Sequence, residues 1–211
     1  IIFLLLYVLI IYGLGLFMGF TKTIYDNSLV GILKNALPIT ILVIFRELTR
    51  FIVAYNSKKN MKPIILLTII YILFDFFNGF VSSSFNSFYN IFQFVCLIIL
   101  PSISKHMLLS YLTYKINYFP SLIYSLPMEV LIYVLPFFPN LGDYLTAVTS
   151  LFLPFCIYLF IKKLLSYDEK EVLKIHGLFI KIFMIITITF LIIIIILVSG
   201  IFKYNMLSTG G

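Results

Sequence analysis

Residues 63–80 read PIILLTIIYILFDFFNGF, eighteen positions with one charged residue, Asp75. An α-helix of that length is about 27 Å long at 1.5 Å per residue, close to the ~30 Å hydrocarbon core of a bilayer. A continuous apolar run spans a membrane as a helix because each helix satisfies its own backbone hydrogen bonds. The alternating ten-residue segments of a membrane barrel are absent. Working outward, six further stretches read the same way: 1–20, 32–55, 91–114, 118–138, 145–161 and 178–202. The expected fold is all-α, a polytopic membrane bundle of about seven transmembrane helices.

Composition agrees. Hydrophobic residues make up 62% of the 211 positions and charged residues 11%, against about 25% charged in a soluble domain. Too little charge remains to clothe a water-facing surface. This excludes a soluble enzyme, a disordered tail and a disulfide-built secreted domain. The net charge of +7 is no nucleic-acid signal, because the lysines cluster between apolar spans, where membrane orientation explains them. Cys96 and Cys156 each fall inside an apolar run and read as buried structural thiols.

Lysine asymmetry sets the orientation. Lys58, Lys59 and Lys62 follow the second span, Lys115 the fourth, and Lys162, Lys163, Lys170 and Lys174 the sixth. The opposite connections carry Lys22 and Lys34, then the uncharged 81–90, then 138–144 with only Asp143. The lysine-rich side is cytoplasmic, so the N-terminus lies inside and Lys203 onward outside, in a multi-pass protein of the cell membrane surrounded by lipid. Two units are expected: a six-helix membrane domain over 1–177, with a charged connector at 166–174, and a last span over 178–211 leading into an extracytoplasmic domain. Residue 1 is Ile and the chain stops at Gly210-Gly211 just past an apolar run, which reads as a segment of a longer protein.

Charges inside a bilayer cost at least ~2.5–3.5 kcal/mol at a helix centre, so they face protein and find partners. The candidates form one polar cluster: Arg46, Glu47, Arg50, Asp75 and Glu129. Arg46 lies about 14 Å from the inner end of its span and Asp75 about 18 Å from the same side, which predicts an Arg46–Asp75 ion pair. Glu47 and Arg50 stand three apart and can pair on one helix. Glu129 is again near mid-membrane, just after Pro127. Lys105 reads as a snorkelling residue and His106 as a hydrogen-bonded helix partner. The set fits either a polar site or proton path, or a structural lock between the second, third and fifth spans. Gly15 and Gly19 form a Gly-x-x-x-Gly, which allows close helix approach.

No catalytic constellation is complete. There is no His-Glu-x-x-His and only two histidines, so neither a metal site nor a cofactor is expected. A rhomboid-like Gly-x-Ser-x is absent, Arg46-Glu47-Leu48-Thr49-Arg50 lacks the second Glu of prenyl-endopeptidase-like proteins, and only one Asp lies deep.

The C-terminal stretch Ile195-Ile196-Leu197-Val198-Ser199-Gly200-Ile201-Phe202-Lys203-Tyr204-Asn205-Met206-Leu207-Ser208 resembles the last helix and exit strand of type I signal peptidases of endospore-forming bacteria and archaea. Residues 135–144, LPFFPNLGDY, and 46–50 are similar to the multi-pass extensions of some low-GC members. The resemblance covers about fifteen C-terminal residues and lacks the catalytic Ser-Met pair, since Thr209 follows Ser208. It implies a serine protease that removes signal peptides at the outer face, with its nucleophile beyond Gly211, no catalytic residue inside this chain, and exported preproteins as partners. Two other readings stay open: a small-solute transporter subunit with its site around Arg46, Asp75 and Glu129, and a non-catalytic membrane scaffold.

Overall fold

The computed structural model describes residues 2–57, 60–83 and 85–165. The expected span at 178–202, the connector at 166–174 and the resemblance at 195–208 lie outside the described residues. So do Lys58 and Lys59.

The described chain is mostly helical. In order come α1 (Ile2–Met18), strand β1 (Phe20–Lys22), α2 (Leu29–Asn56), α3 (Lys62–Ser82), α4 (Phe88–Phe94), a π-helical turn (Val95–Ile99), α5 (Leu100–Lys115), α6 (Tyr118–Val134), strand β2 (Phe137–Pro139) and α7 (Gly142–Leu164). Among the described residues four rods are long and apolar enough to cross a membrane: α2, α3, the continuous Phe88–Lys115 and α7; α1 and α6 are shorter apolar helices.

Polarity is inverted relative to a water-soluble protein. Leu16, Val81 and Phe88 are among many large apolar side chains turned outward, while Glu47, Arg50, His106, Ser121 and Thr149 are buried. Lipid is as apolar as leucine, so packing and interhelical polar contacts hold such a bundle. The Thr68 and Ser110 hydroxyls meet at 2.6 Å between α3 and α5, and Ser104 Oγ donates to the Leu151 carbonyl at 2.8 Å between α5 and α7. Two apolar clusters complete the packing. Ile10, Ile11 and Leu14 of α1 meet Leu145 and Leu153 of α7, and Leu108, Leu109 and Leu112 of α5 meet Tyr124 and Ile157.

The π-helical turn has a local cause. Pro101 has no N–H, and its ring would clash with the carbonyl four residues back in a regular helix. The chain widens first: Leu100 N donates to Val95 O, an i to i−5 bond. The expected interruption at Pro101 is therefore a change of pitch within a continuous rod. It sets the angular position of Ser102, Lys105 and His106, which follow it.

β1 and β2 were not expected. They pair antiparallel, Phe20 opposite Pro139 and Lys22 opposite Phe137, so the fifth span ends at Val134 and not near residue 138. The pairing ties the α1–α2 and α6–α7 connections to one end of the bundle. Gly15 has a different use from the helix–helix approach its motif suggests. A Cβ there would stand 2.8 Å from both the Phe20 ring and Pro139, so Gly15 lets the sheet lie against α1. Gly19, at φ +96°, turns the chain out of α1 into β1.

Candidate intramembrane polar site

The cluster is built on four helices. α2 presents Arg46, Glu47 and Arg50 within one turn, with Glu47 and Arg50 fully buried. α3 presents Tyr71 and Asp75, four residues apart and so on one face. α5 presents Ser102, Lys105 and His106, and α6 adds Glu129 two residues after Pro127.

Arg46 grips Glu129 with both terminal nitrogens. Nη1 donates to Oε2 at 3.3 Å, and Nη2 closes on Oε1. This two-pronged geometry suits the planar guanidinium. Arg46 Nε also lies 3.5 Å from Glu47 Oε1, and Arg50 Nη1 lies 3.5 Å from Glu47 Oε2, the within-helix pair that the spacing suggested. Among the described residues neither oxygen of Glu47 accepts a hydrogen bond, and two ion contacts hold this buried carboxylate.

The expected Arg46–Asp75 pair is not formed. Depth arithmetic alone matches the two, but α6 brings Glu129 to Arg46, and Asp75 turns to α5. Its Oδ2 accepts from Ser102 Oγ at 2.7 Å, meets His106 Nε2 at 3.0 Å and lies 3.4 Å from Lys105 Nζ. Lys105 does not snorkel. Its ammonium sits between Asp75 and Glu129, 3.6 Å from Glu129 Oε1.

His106 joins the two halves as a hydrogen-bonded partner. Arg50 Nη2 lies 3.0 Å from its Nδ1. Guanidinium only donates, so Nδ1 accepts, the ring proton sits on Nε2, and that N–H points to Asp75. The imidazole is therefore neutral in this arrangement. Tyr71 lies under both: its ring stacks on His106 at 5.6 Å and receives the Arg50 guanidinium at 5.1 Å, while its hydroxyl donates to the Arg46 carbonyl at 3.1 Å. Three cations, Arg46, Arg50 and Lys105, face three carboxylates, Glu47, Asp75 and Glu129. The cluster is electrically neutral, as a group buried in low dielectric should be.

A cavity of about 580 Å³ opens on one side of this cluster. Asp75, Lys105 and Glu129 line it together with Asn78 of α3 and Tyr124 and Ser125 of α6. Glu47, Arg50 and His106 stand behind the wall. The Tyr124 and Ser125 hydroxyls are buried and have no hydrogen-bond partner among the described residues.

The sequence singled out neither these two hydroxyls nor Tyr71. For Lys105 a usable signal existed: it stands ten residues from Lys115, about 15 Å, at the level of Arg46.

No protein-family model, curated protein or solved structure matches the chain.

Proposed function

We propose that the chain is the membrane-embedded region of a signal-peptidase-I-like serine protease of the cell membrane. It has seven spans, an inner N-terminus and a nucleophilic serine beyond residue 211. The observation that carries this reading is the direction of the bundle. β1 and β2 tie two connections to one end, and α7, about 34 Å long, runs from that end to the other. A further apolar span over 178–202 would return residue 203 to the sheet end. The lysines divide along the same axis. Lys62, Lys115, Lys162 and Lys163 lie at helix ends away from the sheet, whereas Lys22 and Lys34 share the sheet end with Asp26 and Asp143. By the lysine rule the sheet end is the outer face.

The Phe202-Lys203-Tyr204 step, on which the resemblance rests, then falls where exported preproteins are cut. A serine tethered close to a membrane helix is held at the depth of its substrate, which supplies orientation. The charged cluster acts in this reading as a lock holding α2, α3, α5 and α6 together. The test is to express the full-length gene with a secreted reporter and replace by Ala the Ser of a Ser-Met pair within about five residues after Gly211. Processing after a small residue should stop. Surviving processing, or no such pair in that window, overturns the reading.

A further inference from the structure

Outside the protease reading, and independent of it, the cavity has properties that a helix lock does not require. Of the cluster, two acids, Asp75 and Glu129, and one base, Lys105, line it, while Arg46, which holds Glu129, and Arg50 are not part of the lining. Every polar contact of Asp75 falls on Oδ2, so Oδ1 has no partner among the described residues. Lys105 is held by two long contacts of 3.4 and 3.6 Å and is the most exposed charge of the cluster, at 28%. A four-carbon stem lets such an ammonium swing away. Tyr124 and Ser125 line the same cavity, and their hydroxyls, covered by neighbouring atoms, have no hydrogen-bond partner among the described residues. A buried hydroxyl without a partner is unfavourable unless something supplies an acceptor.

We propose that the cavity binds a primary ammonium group that carries an oxygen acceptor a few bonds away. The ammonium takes Asp75 Oδ1 and displaces Lys105 from between the two carboxylates. The oxygen accepts from Tyr124 and Ser125. The cavity, at about 580 Å³, has room for a small amino alcohol or for the headgroup of an ethanolamine lipid, which share this chemistry. Lys105 then acts as an internal competitor that occupies the site when no ligand is bound.

The experiment uses the full chain and reads its thermal unfolding midpoint against added ethanolamine, with ethylene glycol, choline and sodium chloride as comparators. A second arm embeds the protein in nanodiscs of phosphatidylethanolamine or of phosphatidylcholine. Free amine as the source predicts a saturable rise with ethanolamine in either lipid. Lipid headgroup as the source predicts a higher midpoint in phosphatidylethanolamine, with no further rise on adding ethanolamine there. Both outcomes support the site.

Two variants separate binding from mere stability. The double variant Y124F/S125A keeps every charge and removes only orphan hydroxyls, so it should fold, and the amine-dependent rise should need roughly tenfold more amine, about 1.4 kcal/mol. K105M removes the competitor and should shift the response to lower amine concentration; a purely structural lysine would not produce that shift. Equal stabilisation by ethylene glycol, choline or sodium, no amine effect in either arm, or an unchanged response in Y124F/S125A overturns the proposal.

Discussion

Replacing Glu129 by Gln removes the negative charge and one of the two acceptor oxygens that Arg46 holds with its terminal nitrogens. Arg46 and Glu129 are 11% and 22% exposed, so the pair is largely desolvated. Breaking a buried pair by deleting one partner costs about 3–5 kcal/mol, because a charge stays behind without compensation. Two features place the expected loss at the low end, about 3 kcal/mol. Glu129 faces the cavity, and Arg46 retains Glu47 at 3.5 Å. For a chain of this size 1 kcal/mol moves the melting midpoint by about 2–4 °C, so E129Q should lose roughly 6–12 °C. R46Q should lose a similar amount, with the opposite charge left over. In the double variant R46Q/E129Q the cluster is neutral again, and its loss should not exceed the larger single loss, a coupling of at least about 3 kcal/mol. Cys96 and Cys156 are free thiols, so unfolding can be followed by a thiol-reactive fluorophore on protein heated in micelles. If the double variant loses the sum of the two singles to within about 0.5 kcal/mol, the residues act independently and the lock is misassigned.

Four other outcomes follow from the geometry. Gly15→Leu should push the sheet off α1 at a cost of about 1–3 kcal/mol, whereas Gly13→Leu, where an added Cβ meets nothing within 4 Å, should be milder; melting midpoints check the difference. Ser28 caps α2 by accepting from Gly31 N at 3.0 Å, so Ser28→Ala should cost about 1 kcal/mol by the same assay. Asp26 accepts from the Ser28 backbone and hydroxyl, which hold its carboxyl below its ordinary 3.8; its contribution is therefore present above that value and lost as pH falls through the lower folded one, so the midpoint gap between wild type and Asp26→Asn should be constant near neutrality and close only in acid. In intact cells an impermeant thiol reagent should label a cysteine placed at Lys22 and spare one placed at Lys115; the reverse pattern would invert the bundle.

The rods were legible because a long apolar run has one cheap solution in lipid. Their ends were less so. The stretch after Val134 stays apolar through Phe138, yet it leaves the helix at Leu135 ahead of Pro136, and three-residue strands are too short to show alternation. For the cluster, depth could be counted from each span end, but which neighbour stands at that depth depends on how the rods pack. That is why Arg46 was matched to Asp75 when α6 supplies Glu129. Lys105 and His106 were read as separate residues because nothing in a linear string tells that the turn at Pro101 swings both toward α3. The orphan hydroxyls of Tyr124 and Ser125 leave no mark in composition at all.

The neutral cluster also bears on how such a chain can be synthesised. Helices enter the bilayer in order, and charged ones enter at a cost. α2 arrives with Arg46 and Arg50 against Glu47, one positive charge in excess, and α3 follows at once with Asp75. α5 then brings Lys105 and α6 brings Glu129. The running total thus alternates between one and zero as the ribosome advances, and each hairpin, α2–α3 and α5–α6, is neutral by the time its second member is made. Insertion can proceed two helices at a time, with no stage at which two like charges must wait in lipid for a partner not yet translated.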